Sequence, residues 1–145
     1  MILLMMNIKS MVLLAVVTII AVSCARFFSK GNNTRTMAID AFSNVGVEEF
    51  QSLMADPAVQ LLDVRTPEEF DEGHIAGAIL VDVNEEAFVE RALAVLDKQR
   101  PVAVYCRSGR RSARAASQLA MQGMTVTNLD GGVIAWQDAG KALVK

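Results

Sequence analysis

From residue 43 onward the sequence predicts an α/β domain: a central, mostly parallel sheet with helices on both faces. Two observations predict it. Short apolar runs of strand length alternate with stretches whose apolar residues recur at helical spacing, and turn or cap signals separate them. Composition agrees. The 145 residues argue for one domain, and 52% hydrophobic against 21% charged residues excludes a disordered polyelectrolyte. The roughly one hundred residues after position 42 suffice for an independently stable core.

Each element has its own local reason. Val47, Phe50, Leu53 and Met54 follow helical spacing, and Asp56-Pro57 stops that helix. Residues 60–64 (QLLDV) form an apolar run of strand length. Thr66-Pro67-Glu68-Glu69 is a helix start, with Thr66 as cap, Pro67 at the first helical position and Glu69 completing a capping box. Gly73 keeps that helix short. Residues 78–83 read as a second strand. Phe88, Ala92, Val95 and Leu96 make another helical stripe. Residues 102–105 (VAVY) are a strand ending at Cys106. Residues 112–122 read as a helix with Ala113, Ala116, Leu119 and Ala120 inward, closed by Gly123. Residues 125–129 are a last strand, and 133–139 a final helix ending at Gly140.

The first 42 residues differ in kind. They carry Lys9, Arg26, Lys30 and Arg35 against Asp40, a charge of +3. The whole chain is −2, so the remainder is −5. The whole-chain charge of −2 argues against a generic nucleic-acid binder, and no nucleic acid is expected as a partner. Residues 11–22 (MVLLAVVTIIAV) are apolar, too few for a spanning helix of about 20 residues. A lysine, an apolar run and then small residues follow the order of a secretory signal. The signal is more compact if Met6 initiates. Ala21-Val22-Ser23-Cys24 resembles a bacterial lipobox, whose cysteine is lipidated, although Ala21 stands where a larger aliphatic is usual. Ordinary cleavage near Ser23-Cys24-Ala25 and an uncleaved anchor are the other readings. The organisation expected is therefore a signal over residues 1–24, a tether over 25–42 and a domain over 43–145. The expected location is the envelope of a bacterium, lipid-anchored to a membrane through Cys24.

One loop carries the chemistry. Cys106-Arg107-Ser108-Gly109-Arg110-Arg111-Ser112 lies between a strand and a helix. A thiol reacts as its thiolate. A loop that wraps it and ends at a helix N-terminus points backbone N–H groups inward, and the helix dipole adds positive potential. Gly109 permits a backbone conformation that a larger residue resists. Arg107, Arg110, Arg111 and Arg114 concentrate positive charge in an otherwise acidic domain. A lone cysteine at a strand end is by default a buried core residue; the glycine and the arginines reverse that default. Arg107 and Arg114 fit a solvated helix face equally well. No metal is expected, because the domain holds one cysteine and one histidine, His74, far apart. His74 reads as structural, not as a catalytic base.

These segments together resemble the single-domain rhodanese family over residues 43–145. The matching pieces are Asp63-Val64-Arg65 with Pro67-Glu68-Glu69-Phe70, then Gly73-His74-Ile75-Ala76-Gly77-Ala78. The cysteine loop follows, and then Gly131-Gly132 with Trp136. The resemblance implies a rhodanese-like three-layer fold and a sulfurtransferase. The Cys106 thiolate would take the outer sulfur of a small sulfur-containing anion such as thiosulfate, releasing sulfite. An acceptor, cyanide or a thiol, would then discharge the persulfide. No cofactor is implied. The backbone of Arg107, Ser108, Gly109, Arg110 and Arg111 would cradle the substrate, with Arg111 closing the loop and Ser112 supporting it. Asp63 and Arg65 would serve as supports or as a structural ion pair. Trp136 would pack beside the active-site face or in the core.

Six residues from Cys106 to Arg111 match the sulfur-handling branch of the fold. The related phosphatases and arsenate reductases use a loop one residue longer, and the tyrosine-phosphatase arginine falls here at Ser112. The alternatives are a persulfide carrier or binding module serving a partner protein, then a phosphatase or arsenate reductase. With no coiled coil visible, a monomer is expected.

Overall fold

The structure, a computed structural model, describes residues 42–145. The expected signal, tether and Cys24 lipidation site lie outside the described residues. Five strands form one parallel sheet in the order β1-β5-β4-β2-β3. They are β1 (Ser43–Val45), β2 (Gln60–Asp63), β3 (Ile79–Leu80), β4 (Val102–Tyr105) and β5 (Val126–Leu129). The helices are α1 (Val47–Met54), α2 (Pro67–Glu72), α3 (Phe88–Val95), α4 (Arg110–Met121) and α5 (Gly132–Asp138).

Every residue of β2 and β4 is buried, as inner strands covered on both faces require. Alternate side chains of β4 feed two cores. Val102 and Val104 pack with Phe88 and Ala92 of α3 and with Ala115, Ala116 and Leu119 of α4. Ala103 and Tyr105 pack on the other face with Phe50 of α1 and with Val133 and Trp136 of α5. The architecture is thus three-layered, as expected. The register sets Asp63 beside Tyr105 at the carboxyl end of the sheet, where open α/β sheets carry their sites.

Several local expectations need correction. β1 carries no strand signal in the sequence: it has three residues, sits at a sheet edge and buries only Val45. Residues 78–83 shrink to the two residues of β3, although Val81 and Val83 still donate to Asp63 and Val64 carbonyls at 3.0 and 3.3 Å. Val95 faces solvent at 52% exposure. The chain leaves helical geometry at Leu96, which turns inward in its place. α4 starts at Arg110, immediately after Gly109, and its inward face is Ser112, Ala115, Ala116 and Leu119. Ala113 and Ala120 are only half-buried, because Ser112 rather than Ala113 turns toward the loop. The capping box of α2 forms as expected: Thr66 accepts from the Glu69 N–H at 3.4 Å, and Glu69 accepts from the Thr66 N–H at 3.2 Å.

Candidate active site around Cys106

Cys106 directly follows β4, and its residue is 1% exposed. The loop turns back at Gly109, whose φ of +90° lies in the left-handed region. A Cβ there would also crowd the Gly131 nitrogen at 3.1 Å. This turn brings the Gly109 N–H within 3.2 Å of Cys106 Sγ. One turn later Ser112 Oγ lies 3.3 Å from Sγ and 3.1 Å from the Gly109 carbonyl oxygen. The hydroxyl has one proton to give, and a thiolate is the stronger acceptor.

The other side of the loop is held by α5. Val133 and Ile134 donate their N–H groups to the carbonyls of Cys106 and Arg107 at 2.8 and 3.1 Å. A trans peptide points its N–H opposite its C=O. Holding these carbonyls toward α5 therefore turns the following amides away from α5, and that of Ser108 faces the sulfur. Close approach is needed, and Gly132 supplies it. A Cβ on Gly132 would stand 2.4 Å from the Cys106 carbonyl oxygen and 2.7 Å from Arg107 C and O.

Burial by itself pushes the Cys106 thiol up. The Ser112 hydroxyl and the N–H groups of Ser112, Ser108 and Gly109 outweigh it, and the thiol is held below its ordinary range. The result is a cysteine with enhanced thiolate character on a floor of hydrogen-bond donors.

An open depression of about 460 Å³ is lined by Arg107, Ser108, Arg110, Arg111 and Arg114. The arginines are not equivalent. Arg111 forms a two-pronged pair with Glu69, both bonds 2.7 Å, tying the start of α4 to α2. The pair holds the Glu69 carboxyl below and the Arg111 guanidinium above their ordinary ranges. Arg114 donates to the Val83 carbonyl at 3.1 Å and to Asn84 Oδ1 at 3.3 Å. Arg107 and Arg110 are exposed, and their guanidiniums have no hydrogen-bonded partner among the described residues. The depression therefore has positive potential and two uncommitted guanidiniums.

The remaining expected site residues are structural in their surroundings. Asp63 and Arg65 form a buried ion pair, with Arg65 Nη2 2.7 Å from Asp63 Oδ2 and 2.8 Å from the Gly73 carbonyl. Arg65 also lies 5.6 Å from the Tyr105 ring centre. Tyr105 Oη accepts from the Ile75 N–H at 3.0 Å, and burial together with the Asp63 carboxylate pushes its phenol up. Trp136 lies in the core, edge-on to Phe50 at 6.5 Å, with Nε1 donating to the Ala142 carbonyl. It does not line the arginine-walled depression. His74 stacks on Phe70 at 3.7 Å and its Nδ1 lies 3.1 Å from the Phe70 carbonyl oxygen. The sequence reasoning left three contributors without a role at the site: Glu69, Gly132 and the α5 amides. Only Gly131-Gly132 left a trace, a glycine pair just before a helix.

Comparison with known proteins bears on the family and the fold. The model of the rhodanese-like domain matches residues 46–139. A sulfurtransferase of Allochromatium vinosum is 36% identical over 104 residues, covering 70% of this chain and 94% of that protein. The thiosulfate sulfurtransferase GlpE of Shewanella oneidensis is 35% identical over 103 residues, covering 70% and 98%. Among solved structures, a rhodanese-related protein of Thermoplasma volcanium superposes with a TM-score of 0.63 at 27% identity, covering 71% of this chain and 98% of that one.

Proposed function

Because the chain belongs to the rhodanese-like domain family, we propose that it transfers sulfane sulfur from thiosulfate, or a similar anion, to cyanide or a thiol through a persulfide on Cys106. The observation that carries this reading is the donor set on Cys106 Sγ, the Gly109 N–H at 3.2 Å and the Ser112 hydroxyl at 3.3 Å.

In the first half-reaction the Cys106 thiolate attacks the outer sulfur of thiosulfate. The S–S bond of the donor breaks, and sulfite leaves with the electron pair. The donor is a dianion, and the arginine-lined depression favours its approach. The negative charge passes from Sγ to the outer sulfur of the persulfide, still close to the same N–H groups. In the second half-reaction the acceptor attacks that outer sulfur and Cys106 is regenerated as thiolate.

Ser112 supports sulfur rather than phosphate chemistry. It stands where the phosphatase pattern places an arginine, and its hydroxyl is directed at Sγ. We further propose that the chain is exported and lipid-anchored through Cys24, on the support of residues 11–24. Labelling of the full chain by palmitate, lost in Cys24→Ala, tests that part. Thiocyanate formation from thiosulfate and cyanide, with parallel double-reciprocal lines and loss in Cys106→Ser, tests the enzymatic part. Turnover that survives Cys106→Ser would overturn it.

A further inference from the structure

Asn128 of β5 places an amide in a row of apolar core residues. It is 2% exposed, and Val126, two positions earlier, packs in the core between the sheet and α3 and α4. Alternate strand residues share a face, so Asn128 points to the same side, beneath the start of α4. Its Nδ2 donates to Asn44 Oδ1 at 2.7 Å, across the β1–β5 register. The same Nδ2 reaches the Gly109 carbonyl oxygen at 3.5 Å, a long bond. Its Oδ1 is buried with no partner among the described residues. An unpaired buried oxygen costs stability, and a leucine of similar size would not bear that cost. Core packing therefore does not account for the amide. Its orientation follows from Gly109, because the flipped amide would set Oδ1 against the Gly109 carbonyl oxygen.

That carbonyl oxygen is crowded. It has two lone pairs. Three donors surround it: the Ala113 N–H at 3.0 Å, Ser112 Oγ at 3.1 Å and Asn128 Nδ2 at 3.5 Å. The Ala113 N–H is fixed by the first turn of α4, and the Asn128 amide by its bond to Asn44. The Ser112 hydroxyl alone can rotate its proton elsewhere, and its other acceptor is Cys106 Sγ at 3.3 Å. A donor that fills the carbonyl therefore favours delivery of that proton to sulfur.

We propose that Asn128 is a positioning residue: by occupying the Gly109 carbonyl, its amide directs the Ser112 hydroxyl proton to Cys106 Sγ. It acts through Ser112 and donates no bond to the sulfur itself. The charged groups around Cys106 are Arg111, paired with Glu69, and the exposed Arg107, Arg110 and Arg114. Asn128 bonds to none of them, so replacing it leaves these charges in place. Its share in sulfur transfer rests on the sulfurtransferase reading, whereas its effect on the thiolate needs no sulfur donor.

The test measures iodoacetamide alkylation of the reduced full chain against pH, for Asn128→Leu and for Asn44→Ala. Each is made alone and in the Ser112→Ala background, and urea unfolding confirms that each variant folds. Asn128→Leu slows alkylation at neutral pH about threefold, less than outright loss of the hydroxyl, with the midpoint displaced upward. Asn44→Ala changes an exposed side chain and frees the amide to turn, so it gives a smaller slowing of the same sign. With Ser112→Ala already present, neither substitution has any further effect. An unchanged profile in both single variants, or the same slowing with and without the Ser112 hydroxyl, overturns the proposal. The second result would mark Asn128 as a plain support of the loop. If Asn128→Leu does not fold, Asn44→Ala in the two backgrounds decides by the same criteria. Wild-type protein that is alkylated but takes no sulfur from thiosulfate overturns the sulfurtransferase reading alone.

Discussion

Replacing Gly132 by alanine separates the loop's geometry from general stability. The new Cβ would lie 2.4 Å from the Cys106 carbonyl oxygen and 2.7 Å from Arg107 C and O, against ordinary contacts of 3.4–4 Å. These are backbone atoms, so the loop must retreat by about 1 Å, and the 2.8 Å bond from the Val133 N–H is lost. Gly132 also has φ +59°, a left-handed conformation that disfavours alanine by about 1–2 kcal/mol. Gly123 is the control, because its φ is +84° and nothing lies within 4 Å of a Cβ there. Gly123→Ala should lose only the conformational part. Gly132→Ala should lose about 2–4 kcal/mol, the same part plus a hydrogen bond and residual overlap. The amides that face Sγ shift with the loop, so the thiol moves back up toward its ordinary range. Urea unfolding reads the stability of both variants, and iodoacetamide alkylation against pH reads the thiolate. Equal destabilisation with an unchanged alkylation profile in Gly132→Ala would refute the reasoning.

Three further outcomes follow from the same contacts. Ser112→Ala removes the hydroxyl donor to Sγ, so persulfide loading at neutral pH should slow by roughly tenfold, with the alkylation midpoint displaced upward. A loading rate that is unchanged at every pH would count against that donor. Glu69→Gln retains the capping box but breaks the ionic pair with Arg111. Glu69 is held below the ordinary carboxylate range, so its contribution is present above that range and is lost as pH falls through the folded-state value. At neutral pH the variant should be less stable by about 0.5–1 kcal/mol, since the pair is a quarter exposed, and the gap should close on acidification. Asp63→Asn leaves Arg65 buried without its counter-charge and should lose about 3–5 kcal/mol in urea unfolding.

What the sequence made legible was local. The four residues of β4 stand as one apolar run, and the capping box of α2 is written in Thr66 and Glu69. The cysteine loop is also legible through residue type: Gly109 takes the left-handed conformation that its position demands, and the turn brings an N–H donor to Sγ. Pairings across long separations left no such mark. Arg111 and Glu69 are 42 positions apart, and nothing in either neighbourhood ties them together. β1 was invisible because three edge residues with one buried side chain show no period. On α4 the expected Ala116 and Leu119 are buried, whereas Ala113 and Ala120 are only half-buried, for a chemical reason. A serine occupies a core-facing position so that its hydroxyl can reach sulfur, and apolar periodicity steps over it.

The most direct test of the central claim is the intact mass of the reduced, folded full-length chain after incubation with thiosulfate. The account predicts a gain of one sulfur atom, removed as thiocyanate by cyanide and absent in Cys106→Ser. A gain without thiocyanate would instead mark a carrier that discharges to a dedicated partner. No gain on wild-type protein, or the same gain in Cys106→Ser, would contradict sulfur transfer from thiosulfate through Cys106.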